Sequence, residues 1–484
     1  MPPLSLSRLL AARLDPQSWW LAGAVLALAA FNLSFRIGNE MVQVWDEALY
    51  AITAREVVSS GHWIGTTFLG ELDYYNTKPP LNVWLIALSF KAFGIGIVPL
   101  RLPAVLSAWL TVALLLWWSR RAFGPAIALV SSLVLATCYG FLFVHSGRTA
   151  NTEAMFTLFV TLTIVTLWAA RSHPWRRAWL GPILAGVFLV KGAGLLMPLV
   201  AVACVELGTR RPARERWLPL IAALASCALI VAPWAVARWR LDGALFFERI
   251  FFEDLVARTA RVLDGHEGSP LYYLYILQKH QYDWLVAAAV ALACLPGRWA
   301  RVRALLSPAH GDRFMVVLFL SWGAATLVLP TVVATKLGWY LNSFYPLFAL
   351  GVAWALTQAW AATAEAHPRR AVVLAAVTML ALGVAEAKLG WHSYQKLDIR
   401  RSAQSLFLDR ASEIAGRRVY AAAWPHADRF IVAATGGRCE TAADAAAFLA
   451  ASAPGDYWLG DAGNQGAVVA VASTGRQTLY RRPD

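Results

Sequence analysis

Charge is scarce in this 484-residue sequence: Asp, Glu, Lys and Arg together make up 15% of it, against about 25% in soluble globular chains. Acidic residues are scarcer than basic ones, 29 against 43, which leaves a formal net charge of +14. Cysteine is sparse as well. Cys138, Cys204, Cys227 and Cys294 fall in apolar runs, Cys439 stands alone in a polar tail, and no CxxC pair occurs. A disulfide framework or zinc ribbon is thereby excluded. There is no Walker A sequence and no GxGxxG opening a helix, which argues against an ATP-driven pump and a nucleotide-sugar Rossmann enzyme. Internal repeats and low-complexity segments are also absent.

Apolar residues fill the space: 58% of the chain is hydrophobic and 23 residues are Trp. Soluble chains are about 45–50% apolar, so an ordinary cytosolic enzyme is excluded, as is a disordered chain. Tryptophan in such numbers suits anchoring at a bilayer interface. In that setting the basic excess reads as positive-inside bias and attraction to anionic lipid or phosphate, not as nucleic-acid binding.

Long apolar runs lie near 19–37, 81–97, 99–118, 125–145, 154–170, 178–207, 217–237, 283–297, 314–334, 339–359 and 370–388. A crossing helix needs about 20 residues. Basic clusters at Arg120–Arg121, Arg171 to Arg177, Arg210–Arg216, Arg298–Arg303 and Arg369–Arg370 mark the inner loops. Placing all of them on one side requires two adjustments. The run 178–207 splits into two short crossings with Lys191 at an outer turn. The run 81–97, opened by Pro79–Pro80 and carrying Asn82 and Lys91, lies on the outer face as an interfacial or re-entrant helix. No small-residue cleavage site follows the first run, so it reads as an uncleaved span. The expectation is an all-α polytopic membrane protein with about eleven crossings over residues 1–388. A small α/β soluble domain follows at 389–484. Its strands are expected at 419–423, 457–459 and 468–472, with helices at 402–415 and 442–451.

The stretches 38–80 and 238–282, the tail, and the turns near 146–153 and 335–338 then collect on the outer face. Asp46 is either an N-cap or a carboxylate placed to take a proton from an attacking hydroxyl. Lys78, where an apolar helix begins, is either a snorkelling side chain or a point charge for a phosphate.

The spacing in this region resembles that of the membrane glycosyltransferases of GT-C type that use polyprenyl-phosphate sugars. In particular it is similar to bacterial relatives of protein O-mannosyltransferase and the lipid A aminoarabinose transferases. The resemblance rests on Asp46-Glu47, Tyr50-Ala51, Ala54-Arg55-Glu56, Gly61-His62-Trp63, Tyr75 to Leu81 with its Lys78-Pro79-Pro80, Trp84-Leu85 and Arg101-Leu102-Pro103. It continues through Gly147 to Glu153, Lys191-Gly192, His266 with Pro270 and Tyr272-Tyr273, and Lys336 to Tyr340. Glu153 stands where the family usually has Asp, and Gly338 where it has proline.

The resemblance implies an inverting glycosyltransferase in a bacterial inner membrane, with its site and C-terminal domain outside the cytoplasm. It implies a polyprenyl-phosphate-linked sugar as donor and a lipid, glycan or protein as acceptor, in contact with membrane lipid. Asp46 and Glu153 are the implied catalytic carboxylates, and Lys78, Lys191 and Lys336 the donor-phosphate ligands. Glu47, Arg55, Tyr75, Arg148, His266 and Tyr340 are the implied substrate contacts. Some relatives hold a metal through a Glu before Lys-Pro-Pro and the middle-loop His. Here Thr77 replaces that Glu, and a hydroxyl is a poor ligand for a divalent cation. No cofactor is assigned, and His266 is the one candidate metal ligand. The rival reading, a transporter or lipid flippase without catalysis, would place acidic residues mid-membrane and show paired repeats. This sequence does neither.

Overall fold

The computed structural model describes residues 16–74, 78–209, 212–262, 265–295, 313–364, 366–461, 468–475 and 477–483. Thr77, Tyr75 and the basic cluster at 298–303 lie outside them. Helix α1 (Pro16–Ser34) leads to α2 (Asp46–Ser60), which is followed by the hairpin β1 (Thr67–Phe68) and β2 (Glu71–Leu72). Next come α3 (Leu81–Phe93), α4 (Ile97–Phe123), α5 (Pro125–Ala136), the single turn α6 (Tyr139–Phe143) and α7 (Glu153–Ala169). Helices α8 (Leu180–Lys191), α9 (Leu196–Gly208), α10 (Ala213–Asp242), α11 (Tyr272–Cys294), α12 (Arg313–Gly323), α13 (Tyr345–Thr363) and α14 (Pro368–Trp391) complete the helical part.

Among the described residues, six helical stretches are long and apolar enough to cross a membrane: 19–39, 97–123, 174–208, 213–242, 313–332 and 368–396. The remaining expected crossings fall on α5, α7, α11 and α13. Helix α3 has 13 residues, about 20 Å at 1.5 Å per residue, and like α5 with its 12 residues it is shorter than a hydrocarbon core of about 30 Å.

The stretch 174–208 is a hairpin, as the split at Lys191 requires. Arg177 Nε donates to Glu206 Oε1 at 2.6 Å, so the far ends of its two limbs meet. The chain reverses at Gly192, whose φ is +28°. Helix α10 then runs alongside α8 in the same direction, with Gly181 against Ala223 and Phe188 against Trp234. Arg216, at the start of α10, comes to 3.6 Å from Glu206. Arg120 lies over Trp19, Trp118 against Trp168 and Arg171 against Met315. One face of the bundle therefore gathers the arginine-bearing ends. The opposite face gathers the turns at Asp46, Glu153 and Lys191.

The tail adds α15 (Gln404–Leu408), β3 (Arg418–Ala421), α16 (His426–Ala434), β4 (Arg438–Thr441), α17 (Ala445–Ala451), β5 (Tyr457–Asp461), β6 (Val469–Thr474) and β7 (Gln477–Arg481). The sheet order is β4-β3-β5-β7-β6. Strand β3 pairs parallel with β4 and β5, while β7 pairs antiparallel with β5 and β6. The expected helix at 402–415 is broken between Leu408 and Ala411. Strands β4 and β7 and helix α16 were not expected.

Nor does the domain stand clear of the rest. Ala427, Phe430 and Ile431 of α16 share one apolar core with Ala48, Ala51 and Ala54 of α2 and with Ile86 and Phe90 of α3. Phe90 and Phe430 stack at 6.0 Å, and Phe68 meets His426 edge-on at 4.9 Å.

Candidate active site

A cavity of about 1420 Å³ opens where α2, the Lys78 segment, the His145–Glu153 turn, the Lys191–Gly194 turn and the C-terminal domain converge. Asp46 sits in the first turn of α2. The N-cap position belongs to Trp45, and Asp46, one residue on, lines the cavity. Gly61 ends the helix as expected, with φ +75° and its N–H on Val57 O.

Two lysine–carboxylate pairs face the same space. Lys78 Nζ is 4.0 Å from Asp46 Oδ2 and 5.5 Å from the centre of the Tyr50 ring. Lys191 Nζ donates to Glu153 Oε1 at 2.8 Å and lies 5.1 Å from the centre of the Tyr340 ring. Burial pushes the Tyr50 hydroxyl far above its ordinary range, against the pull of Lys78, so Tyr50 stays a neutral donor. Gly192 brings the two lysine segments together. A Cβ there would stand 3.4 Å from Pro79, beside Lys78, and 3.3 Å from Ile250.

A histidine that sequence reading passed over stands between the pairs. His145 takes φ +52°, rare for a residue with a side chain. It stacks on Trp339 at 3.9 Å with rings 14° apart, and among the described residues its buried Nδ1 finds no hydrogen-bond partner. Burial lowers its pKa, opposed by Glu153 and Asp46, so the imidazole is neutral near pH 7. The signal was a lone His just before the Gly147-Arg148 turn. His266 also lines the cavity, edge-on to Trp339 at 6.4 Å.

The structure gives three expected site residues other tasks. Lys336 Nζ donates to Pro330 O, Thr331 O and Val333 O, capping the short helix at Leu329–Val332. Its ammonium is thus committed to carbonyls and not to a phosphate, and burial lowers its pKa. Glu47 accepts from Arg101 Nε, Arg101 Nη2, Gln43 N and Ala150 N. With both oxygens doubly occupied it has little left for substrate. Arg148 donates to Asn32 O, Phe35 O, Glu40 Oε1 and Ser393 Oγ. Glu47 and Arg148 are buried pins that hold the first loop to α4 and to the 146–153 turn. Arg55, expected to touch substrate, lies near Cys439 of the C-terminal domain. Glu56 accepts from Thr67 Oγ1 and Gly70 N, holding the β1–β2 hairpin. Tyr75 lies outside the described residues. Among those residues, no group of three or more His, Cys, Asp or Glu side chains is arranged to hold a metal ion.

The fold has a counterpart among solved structures. It matches ArnT from Cupriavidus metallidurans in its apo state with a TM-score of 0.68 at 16% identity, over 96% of this chain and 98% of that one. Against the same protein bound to undecaprenyl phosphate the TM-score is 0.66. In sequence, residues 77–236 match the family of dolichyl-phosphate-mannose-protein mannosyltransferases. The chain is 30% identical over 349 residues to the undecaprenyl phosphate-alpha-4-amino-4-deoxy-L-arabinose arabinosyl transferase of Pseudomonas aeruginosa strain UCBPP-PA14. That match takes in 69% of this chain and 59% of the relative, so the chain spans about three-fifths of that relative's length. The resemblance drawn from the spaced motifs is borne out.

Proposed function

We propose that this chain is an inverting glycosyltransferase. It moves a sugar from a polyprenyl-phosphate donor to a hydroxyl-bearing acceptor on the extracytoplasmic face of a bacterial inner membrane. The observation that carries the reading is the meeting of Asp46–Lys78 and Glu153–Lys191 in one cavity at the end of the bundle opposite its arginine-bearing loops. Lysine is a compact cation suited to phosphate. The sequence and fold relatives are named for undecaprenyl-phosphate sugar transfer or solved with undecaprenyl phosphate.

In this reading Lys78 and Lys191 hold the donor phosphate. Asp46 accepts the acceptor's hydroxyl proton as that oxygen bonds to the anomeric carbon. The bond from that carbon to the phosphate oxygen breaks, and the lipid phosphate leaves between the two lysines. Glu153 aims Lys191. Lys336 drops out of the expected phosphate-binding set because its ammonium caps a helix.

The test is transfer by the purified full chain in lipid nanodiscs. The first pair to try is labelled undecaprenyl-phosphate 4-amino-4-deoxy-L-arabinose with lipid A, followed by other undecaprenyl-phosphate sugars. Label moving to an acceptor supports the reading. Movement of lipid between leaflets with no transfer from any donor would favour a flippase.

A further inference from the structure

Part of the cavity lining is not explained by phosphate chemistry. It comes from the C-terminal domain: Ser402 just before α15, Gln404 at its start, Asp428 in the first turn of α16, and Gln477. Gln404 fastens this wall to the first loop by accepting from Val42 N at 2.8 Å and donating to Val42 O at 2.9 Å. Val42 is four residues before Asp46, so the domain reaches the helix start that carries the proposed base.

Asp428 is unusual among the acidic residues lining this cavity. Glu47 is held by Arg101, Glu153 by Lys191, and Asp46 stands beside Lys78. Asp428 is 7% exposed, and among the described residues it forms no ion pair. Among those residues, the Gln404 side chain is the neighbour that favours its charged form. Burying a carboxylate without a cation is costly. A position serving only packing would gain from an apolar or amide side chain. A perturbed, unpaired carboxylate on a cavity wall is the pattern of a ligand-binding group.

We infer that Asp428, with Gln477 and Ser402, forms a second subsite that binds an amine- or hydroxyl-bearing part of a substrate, held apart from the phosphate. A carboxylate repels phosphate and accepts hydrogen bonds from ammonium or hydroxyl groups. The neighbouring amide and hydroxyl suit a polyhydroxylated ligand. The inference rests on the glycosyltransferase reading. The group bound belongs either to the transferred sugar or to the acceptor, and kinetics separate the two.

The experiment uses the full chain in nanodiscs, with Asp428→Asn and Asp428→Leu compared with the unaltered protein. Three quantities are read: melting temperature, affinity for undecaprenyl phosphate alone, and KM for donor and acceptor. The expected result is melting at or above that of the unaltered chain, unchanged undecaprenyl phosphate affinity, and a KM raised about tenfold or more for one substrate. A raised donor KM assigns the subsite to the sugar, and a raised acceptor KM assigns it to the acceptor. If neither KM moves in a variant that still transfers, the subsite is overturned. The same holds if both variants melt well below the unaltered chain, since Asp428 is then a structural residue. If the unaltered chain transfers nothing from any donor, the glycosyltransferase reading falls and the subsite falls with it.

Discussion

At the residue scale, the site divides into side chains committed to the protein and side chains turned to the cavity. Asp46 belongs to the second group. Asp46→Asn is nearly isosteric and is expected to keep melting temperature and donor binding while lowering kcat by about 10²–10⁴-fold, the range for losing a general base. Near-normal kcat in the folded variant would remove Asp46 from the mechanism. Lys78→Ala removes a charge-assisted contact of about 1.5–3 kcal/mol. Affinity for undecaprenyl phosphate should therefore fall about 10- to 150-fold. Lys91, on exposed α3 surface and 5.1 Å from the Trp63 ring, is the control, and Lys91→Ala should leave that affinity unchanged. Equal losses in both variants would mean that membrane anchoring, not phosphate binding, is being measured. Asp428 supplies a pH signature. Burial raises its carboxyl from 3.8 to about 6, with only Gln404 opposing. Below about pH 4 it is protonated folded or unfolded, and its burial costs nothing in charge. As pH rises from about 4 to 6 the unfolded chain ionises first, so folded stability falls, by about 3 kcal/mol at most. The stability of Asp428→Asn relative to the unaltered chain should therefore rise across that interval and stay level above it. Melting curves at pH 4, 5, 6 and 7 read this directly, and a gap that stays flat with pH would contradict it.

At the element scale, the Lys191 turn shows how a helix break serves the site. Gly192 reverses the chain at a positive φ and leaves room for Pro79 and Ile250. Gly192→Val imposes a strained backbone and a contact tighter than ordinary packing. The strain alone costs about 1–3 kcal/mol. The expected outcome is a lower melting temperature together with weaker undecaprenyl phosphate affinity, because Pro79 carries Lys78 with it. Stability loss with intact affinity would separate the turn from the phosphate site. Periodicity and charge made this break legible: a run too long for one helix held a Lys-Gly in its middle, and arginines flanked it. The short helix α3 was legible from Pro79–Pro80 and Gly94. What sequence hid were pairings made across long separations. Nothing local marks Lys336 as a helix cap, Glu47 as a partner of Arg101, or Arg148 as a partner of Glu40. In the tail, β4 reads Arg-Cys-Glu-Thr, a polar edge strand with no alternation to betray it. Nothing in the sequence around Asp428 tells that α16 packs onto α2.

At the scale of the whole molecule, the tail and the stretch 36–93 form one body. Phe430, Ile431 and Ala427 complete a core with α2 and α3, Gln404 is bonded to Val42, and Arg36 pairs with Asp398 at 2.9 Å. Both segments must therefore lie on the same side of the bilayer, whatever the number of crossings. The bundle's other end carries Arg120, Arg171, Arg177 and Arg216, bound to Trp19, Met315 and Glu206. Basic loops favour the cytoplasm, so the cavity and the tail should face away from it. A reporter fused after Asp484 that is active only outside the cytoplasm should be active, and so should the same reporter inserted in the exposed β1–β2 turn at Gly70. The two insertions make the argument stricter than either alone. Activity at one site and silence at the other would break the shared core, and with it the placement of Asp428 on the cavity wall. Silence at both would invert the whole molecule and move the proposed chemistry to the cytoplasmic face.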